Sequence, residues 1–160
     1  MNEVGSQSAM VSVRRFEPVD AVPCCELINT AIQIMDGLNE PAKALIVSKN
    51  GPEAVGADLA RCFTLVATDS DGISAVAALD GSEVKRVYVH PRRQRQGIGT
   101  MMVRSLEVEA RRRGLTRIEL HASPSSVAFY VLLGFRELAK ETTRNGDAEF
   151  VHVRMSKDIV

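Results

Sequence analysis

The 160-residue sequence predicts an α/β fold of the α+β kind. One domain, residues 11–160, is built on a mixed, mostly antiparallel sheet of about six to seven strands with helices on both faces. Three observations predict it. Short runs rich in β-branched residues are separated by tight polar turns, which makes hairpins. Longer stretches carry apolar residues at helical spacing and stop at glycine. The two kinds of element succeed one another with no linker and no internal repeat.

The elements follow in order. Val11, Val13 and Phe16 alternate as a first strand. Pro18 and Asp20 open a helix whose stripe is Ala21, Leu27, Ile28, Ala31 and Ile32, stopped by Asp36-Gly37. From Asn39 to Arg61 the pattern is helical but broken at Asn50-Gly51-Pro52, which predicts two short helices joined by a turn. Cys62 to Thr68 and Ile73 to Leu79 are strands around Asp69-Ser70-Asp71-Gly72, and Asp80-Gly81 turns the chain into a third strand, Glu83 to Val89. A helix from about Gly99 to Arg113 ends with Gly114 in the C′ position. Ile118 and Leu120 mark a strand reaching Ala122. A short helix then begins at Ser123-Pro124-Ser125 and stops at Gly134. The tail reads as a hairpin, Phe135 to Thr143 and Ala148 to Met155, around Asn145-Gly146.

Composition narrows the function. The formal net charge is zero, which argues against a general polyanion binder, and Trp is absent, which argues against a base-stacking platform. No window has the roughly 18 consecutive apolar residues a membrane helix needs. Residues 1–10 are polar and are expected to be disordered, with no signal-peptide apolar run. Cys24, Cys25 and Cys62 are odd in number, lack metal spacing and read as core thiols, which fits the cytoplasm. No His/Cys/Asp/Glu cluster has metal-ligand spacing, so no metal is expected.

One stretch is chemically dense. The apolar run Val84, Val87, Val89 closes at His90-Pro91, and Arg92-Arg93-Gln94-Arg95-Gln96-Gly97-Ile98-Gly99-Thr100 leads straight into the helix. Strand, basic Gly-x-Gly turn and helix N-terminus in that order make an anion site. A pyrophosphate is the natural occupant. Ten basic residues lie between Lys85 and Arg117, opposed only by Glu107 and Glu109. A P-loop nucleotide site is excluded because no Gly-x-x-x-x-Gly-Lys-Ser/Thr occurs. A Rossmann site fits poorly because the third glycine is missing.

These residues resemble the GNAT superfamily of acetyl-CoA-dependent N-acetyltransferases. Gln94-Arg95-Gln96-Gly97-Ile98-Gly99 is similar to its pyrophosphate loop, and Phe129-Tyr130-Val131-Leu132-Leu133-Gly134-Phe135 to its Phe-Tyr-x-x-x-Gly-Phe segment. The resemblance covers about Val11 to Ile159 and is weakest between Asn39 and Arg61. It implies a GNAT-like sheet splayed between the two central strands. It also implies that Gln94, Arg95, Gln96, Gly97, Ile98, Gly99 and Thr100 hold the pyrophosphate of acetyl-CoA. Val87 and Val89 would offer backbone groups to the pantetheine arm, and Ser123 stands where many members have an Asn that touches it. Tyr130 matches the tyrosine beside the thioester sulfur. Glu83 falls near a position where some members carry a glutamate base.

Acetyl transfer needs a deprotonated amine, a polarised carbonyl and a proton for the departing thiolate. Tyr130 is the expected acid and Glu83 the expected base. His121, on the strand facing the splay, reads either as structural or as a base, and His90 as a surface residue. Tyr88 faces away from Val87 and Val89, toward either the core or the acceptor cleft. The leading function is transfer of acetyl from acetyl-CoA to a primary amine of a small molecule or peptide, by direct attack in a ternary complex. A non-catalytic acyl-CoA-binding module of the same fold is the alternative. Neither nucleic acid nor membrane is an expected partner, and homodimerisation stays open, as does the identity of the amine. Glu40, Glu53 and Asp58 read either as charge presented to a cationic acceptor or as solvated helix faces.

Overall fold

The computed structural model describes residues 10–160. The expectation of a disordered start concerns residues 1–10 and, apart from Met10, lies outside the described residues. The chain runs through β1 (Ser12–Arg15), α1 (Ala21–Ile34), α2 (Glu40–Lys49), α3 (Pro52–Arg61), β2 (Phe63–Asp69), β3 (Gly72–Asp80) and β4 (Glu83–Val89). It continues through α4 (Ile98–Arg112), β5 (Arg117–Ala122), α5 (Val127–Leu132), β6 (Arg136–Asn145) and β7 (Ala148–Asp158). The seven strands form one sheet in the order β1-β2-β3-β4-β5-β7-β6, and only β4 and β5 run parallel.

Strand alternation sends successive side chains to opposite faces, and each face has its own helices. On β3, Ala75, Ala77 and Leu79 join the core under α4 and α5 with Met102, Leu106, Tyr130 and Phe135. Val76 and Ala78 join the core under α1 and α3 with Ile28, Ile32, Val55 and Leu59. Cys24, Cys25 and Cys62 are free and buried in this second core, and burial pushes the Cys24 thiol up to about 12. As core thiols they match the expectation. No helix among the described residues is long and apolar enough to cross a membrane.

Two irregularities in the middle of the sheet position the site. The first is the splay. Strands β4 and β5 are in register only at Glu83 and Glu119, with one further bond from Glu119 N–H to the Ser82 carbonyl, 3.0 Å. Beyond that pair they carry no further register. The second is a β-bulge in β4. Pairing with β3 passes from Ala78–Lys85 to Val76–Tyr88, so β4 holds one extra residue, and Arg86 there has φ 57°. The bulge explains the uneven spacing of Val84, Val87 and Val89, which all pack on the α4 side. Tyr88 lies on the other side, with α1 and α3.

Several element ends differ from the sequence expectation, two of them for clear reasons. Helix α4 starts at Ile98, because Gly97 is its N-cap with φ 80°. Strand β7 continues to Asp158 because β5 pairs with it down to Arg117–Asp158. In the last hairpin Asn145 and Ala148 pair, leaving Gly146 and Asp147 as the two loop residues, with Gly146 at φ 58°.

Candidate active site

The loop between β4 and α4 is fixed before it reaches any ligand. His90 donates its N–H to the Ser74 carbonyl (2.8 Å), and its Nδ1 accepts from Arg92 N–H (3.1 Å). Arg93 is spent on Asp69 and Asp71, at 2.9 Å each, which ties the loop to the β2–β3 turn. Arg95 (φ 62°) and Gly97 (φ 80°) then turn the backbone into α4. A Cβ on Gly97 would meet nothing within 4 Å, so glycine is needed there for its conformation and not for space. Gly99 differs. A Cβ there would lie 3.3 Å from Phe129 Cζ and 3.5 Å from Val89 Cγ2, so Gly99 lets α4 pack against α5 and β4. The first intrahelical bond runs from Met101 N–H to the Gly97 carbonyl, which leaves the N–H groups of Ile98, Gly99 and Thr100 ahead of the ladder.

A cleft of about 600 Å³ lies over this turn. Val87, Val89, Gln94, Arg95, Gly97, Gly99 and Thr100, all expected from sequence, line it. Three other expected residues do not line it with their side chains. The Ile98 side chain is in the core while its N–H stands at the start of α4, and Gln96 Nε2 turns back toward the Arg92 carbonyl at 3.5 Å. Ser123 lines a second cavity and shares a 2.7 Å hydrogen bond with Ser126.

That second cavity, of about 230 Å³, lies among β4, β5, β7 and the segment after α1. The segment is pinned across the sheet. Val151 N–H donates to the Gly37 carbonyl at 2.6 Å, and the Asn39 side chain bonds the Asp147 carbonyl, Ala42 N–H and Glu149 N–H. Gly37 has φ 80°, and a Cβ there would collide with the Val151 carbonyl and with Pro124. The two cavities share three wall residues, Val87, Ser126 and Tyr130.

Tyr130 therefore stands where the cavities meet. The residue is 7% exposed, and its ring lies edge-on to Phe129 and Phe135, at 4.9 and 5.6 Å between centroids. Burial, with Tyr88 nearby, pushes its phenol well above the ordinary tyrosine range, so it stays protonated. Glu83 is 47% exposed and does not line either cavity; its Oε1 is 3.7 Å from His121 Nδ1, and His121 does line the second cavity. Lys85 does not pair with Glu83 but with Asp58 and Asp80.

One sequence reading needs correction. Asp58 is not free to present charge to an acceptor, because Arg61, Lys85 and Arg86 all bond it. Metal-ligand spacing is absent from the sequence, yet folding brings His121, Glu141 and His152 together, one ligand atom of each lying within 4.8 Å of the others. They come from three strands, and no local spacing could have signalled them.

Comparison with known proteins agrees with this architecture. The acetyltransferase (GNAT) domain family matches residues 40–159. A GCN5-related N-acetyltransferase from Rhodopseudomonas palustris superposes with TM-score 0.85 at 23% identity, over 96% of this chain and 99% of that one. The PaiA N-acetyltransferase of Thermoplasma acidophilum, solved with coenzyme A, gives 0.72 at 15% identity over 93% and 99%. YncA of Salmonella typhimurium, solved with acetyl-CoA, gives 0.67 at 19% identity over 94% of each chain. The family match spans most of the sequence and includes both the loop before α4 and the Tyr130 segment, and on that ground the chain belongs to the GNAT acetyltransferase family.

Proposed function

We propose that the chain is an N-acetyltransferase that moves an acetyl group from acetyl-CoA to a primary amine of a small molecule or peptide, by direct attack in a ternary complex. The observation that carries this reading is the meeting of two cavities at Tyr130 through the splay. Similar folds solved with coenzyme A or acetyl-CoA support the cofactor, and a further one, an aminoglycoside 6′-N-acetyltransferase with coenzyme A, supports an amine acceptor. The three free thiols suit the reducing cytoplasm.

In this reading the larger cleft takes the cofactor. The pyrophosphate sits on the free N–H groups at the start of α4, with Arg95 beside it and Arg93 holding the loop in place. The pantetheine arm lies along Val87 and Val89 and fills the gap that β5 leaves, as an added strand would. The smaller cavity admits the amine. Its proton goes to the Glu83–His121 pair, with the imidazole as the group that reaches the cavity and the carboxylate as its partner. The neutral amine attacks the thioester carbonyl, the C–S bond breaks, the thiolate takes the Tyr130 phenolic proton, and the second proton shed by the acylated nitrogen restores the phenol. A phenol pushed up by burial is in its donating form throughout the neutral range.

Release of the CoA thiol from acetyl-CoA, followed across a panel of amines, tests the reading. Amine-dependent release is expected. Tight CoA binding without amine-dependent release from any panel member would replace the enzyme by an acyl-CoA-binding module.

A further inference from the structure

The open rim of the smaller cavity carries a group of side chains that acetyl transfer does not use as a set. His152 on β7 and Glu141 on β6 are cross-strand partners, and His121 lies one strand over on β5. His152 Nε2 is 3.1 Å from Glu141 Oε2. The two imidazoles meet edge-on at 4.9 Å between centroids. Arg154 occupies the other Glu141 oxygen, Oε1, at 3.2 Å, which leaves Oε2 facing His152. Glu83 Oε1 approaches His121 Nδ1 at 3.7 Å.

We propose that His121, His152 and Glu141 form a Zn²⁺ site at the acceptor mouth. The donor set of two imidazoles and one carboxylate suits zinc, which binds such ligands at about 2.0–2.2 Å in tetrahedral geometry. Neighbouring ligand atoms then lie about 3.3–3.5 Å apart. The Glu141–His152 edge is already close to that spacing, and every ligand pair is within 4.8 Å. Closing the triangle needs a small turn of His121, whose side chain is half-exposed. Zinc on Nε2 would leave Nδ1–H to Glu83, the carboxylate–histidine arrangement that orients metal-bound imidazoles. Of the nearby cations, Lys85 is held by Asp58 and Asp80 and Arg86 by Asp58, while Arg154 stays on Glu141 Oε1 and leaves Oε2 for the ion. The cavity supplies the fourth coordination position. One consequence rests on the proposed acetyl transfer: a zinc ion here takes the imidazole that the amine needs and makes Zn²⁺ an inhibitor competitive with the amine.

The test uses untagged full-length protein and ZnCl₂, with neither acetyl-CoA nor amine present, so its result is independent of the enzymatic reading. Calorimetry should show one Zn²⁺ per chain. The sequence has three histidines, so imidazole nitrogen spectra give an internal control: His121 and His152 should shift with one equivalent while His90 does not. Glu141→Gln should weaken binding at least tenfold, and Glu83→Gln, which acts through His121, by about tenfold. Absence of stoichiometric binding, or spectra in which His121 and His152 stay unmoved, would overturn the site without any variant. In the activity assay Zn²⁺ should raise the KM of the amine and leave the KM of acetyl-CoA unchanged in the wild type, and should do neither in Glu141→Gln. Inhibition that persists in Glu141→Gln would overturn the competitive role.

Discussion

The two halves of the splay are built in opposite ways. The half we propose for the cofactor comes mostly from one continuous run, Val87 to Thr100, closed by α5. Its ligand-facing groups are backbone N–H groups presented by a turn. The half we propose for the acceptor is assembled from four separate segments, Met35–Leu38, Val84–Tyr88, Leu120–Ser126 and Phe150–His152, together with Tyr130. Its ligand-facing groups are side chains. A site made of backbone in a local turn constrains a short stretch of sequence, whereas a site made of side chains on neighbouring strands constrains residues a hundred positions apart. The first kind can serve a cofactor common to many enzymes, and the second can vary with the acceptor.

The largest effect is expected at the boundary between the halves. Tyr130→Phe keeps the ring against Phe129 and Phe135, so affinity for acetyl-CoA and thermal stability should hold. Loss of the proton donor should lower kcat by ~10²–10⁴-fold with a native-like KM for acetyl-CoA. Wild-type turnover on the true acceptor would remove Tyr130 from the chemistry. The pH profile sharpens the point. An acid works while protonated, and the Tyr130 phenol is pushed above its ordinary range, so this group should impose no alkaline fall in kcat up to about pH 10.

Two glycines with similar φ separate the halves. Gly97→Val forces a left-handed position onto a branched residue, at about 1–3 kcal/mol, and the turn relaxes by rotating its N–H groups away from the phosphates. CoA affinity should fall by roughly tenfold or more while the packed core is untouched. Gly37→Ala carries the same conformational cost and adds a collision with the Val151 carbonyl and Pro124. It should distort only the acceptor half, raising the KM of the amine several-fold and leaving CoA affinity unchanged. If each substitution changed both constants equally, the two halves would be one mechanical unit.

The legibility of the chain follows the same division. Helix α4, its preceding loop and the hairpins were readable because turn chemistry is local: Gly97, Gly81 and Gly146 mark their own turns. The splay could be stated only through the family resemblance, since nothing in the residues of β4 or β5 says where their pairing ends. The bulge at Arg86 has a signal in the spacing of the apolar run. The step from Val84 to Val87 is three residues, one too many for a regular strand face. The loop arginines are alike in the sequence but differ in the structure, because the partners of Arg93 are Asp69 and Asp71 at the β2–β3 turn. The His121, Glu141 and His152 group was unreadable for the reason given above: three strands must pair in register before it exists.

The smallest expected effect tests whether the acceptor wall is held by charge. Asp58 sits under β4 and bonds Arg61, Lys85 and Arg86, while Asp80 shares the first two. Burial would raise the Asp58 carboxyl, but the hydrogen bonds from Arg61 and Lys85 and the charges of Lys85 and Arg86 win and lower it. Hydrogen bonds from Arg61 and Lys85 hold Asp80 at about 2. Asp58→Asn leaves Arg86 without its partner on the bulge that lines the acceptor cavity. The loss should be about 1–2 kcal/mol, reduced from the range for buried pairs because the cations keep some contact with solvent. A carboxylate with a depressed folded pKa stabilises the fold above its unfolded value, near 3.9, and loses that contribution as pH falls through the folded value. The stability gap between wild type and Asp58→Asn should therefore be full at pH 7 and shrink below about pH 4 in denaturant titrations. CoA affinity should not move, while the KM of the amine should rise about twofold as the Arg86 side chain loosens. A gap that stays constant down to pH 2 would show that Asp58 stabilises by packing and not by charge.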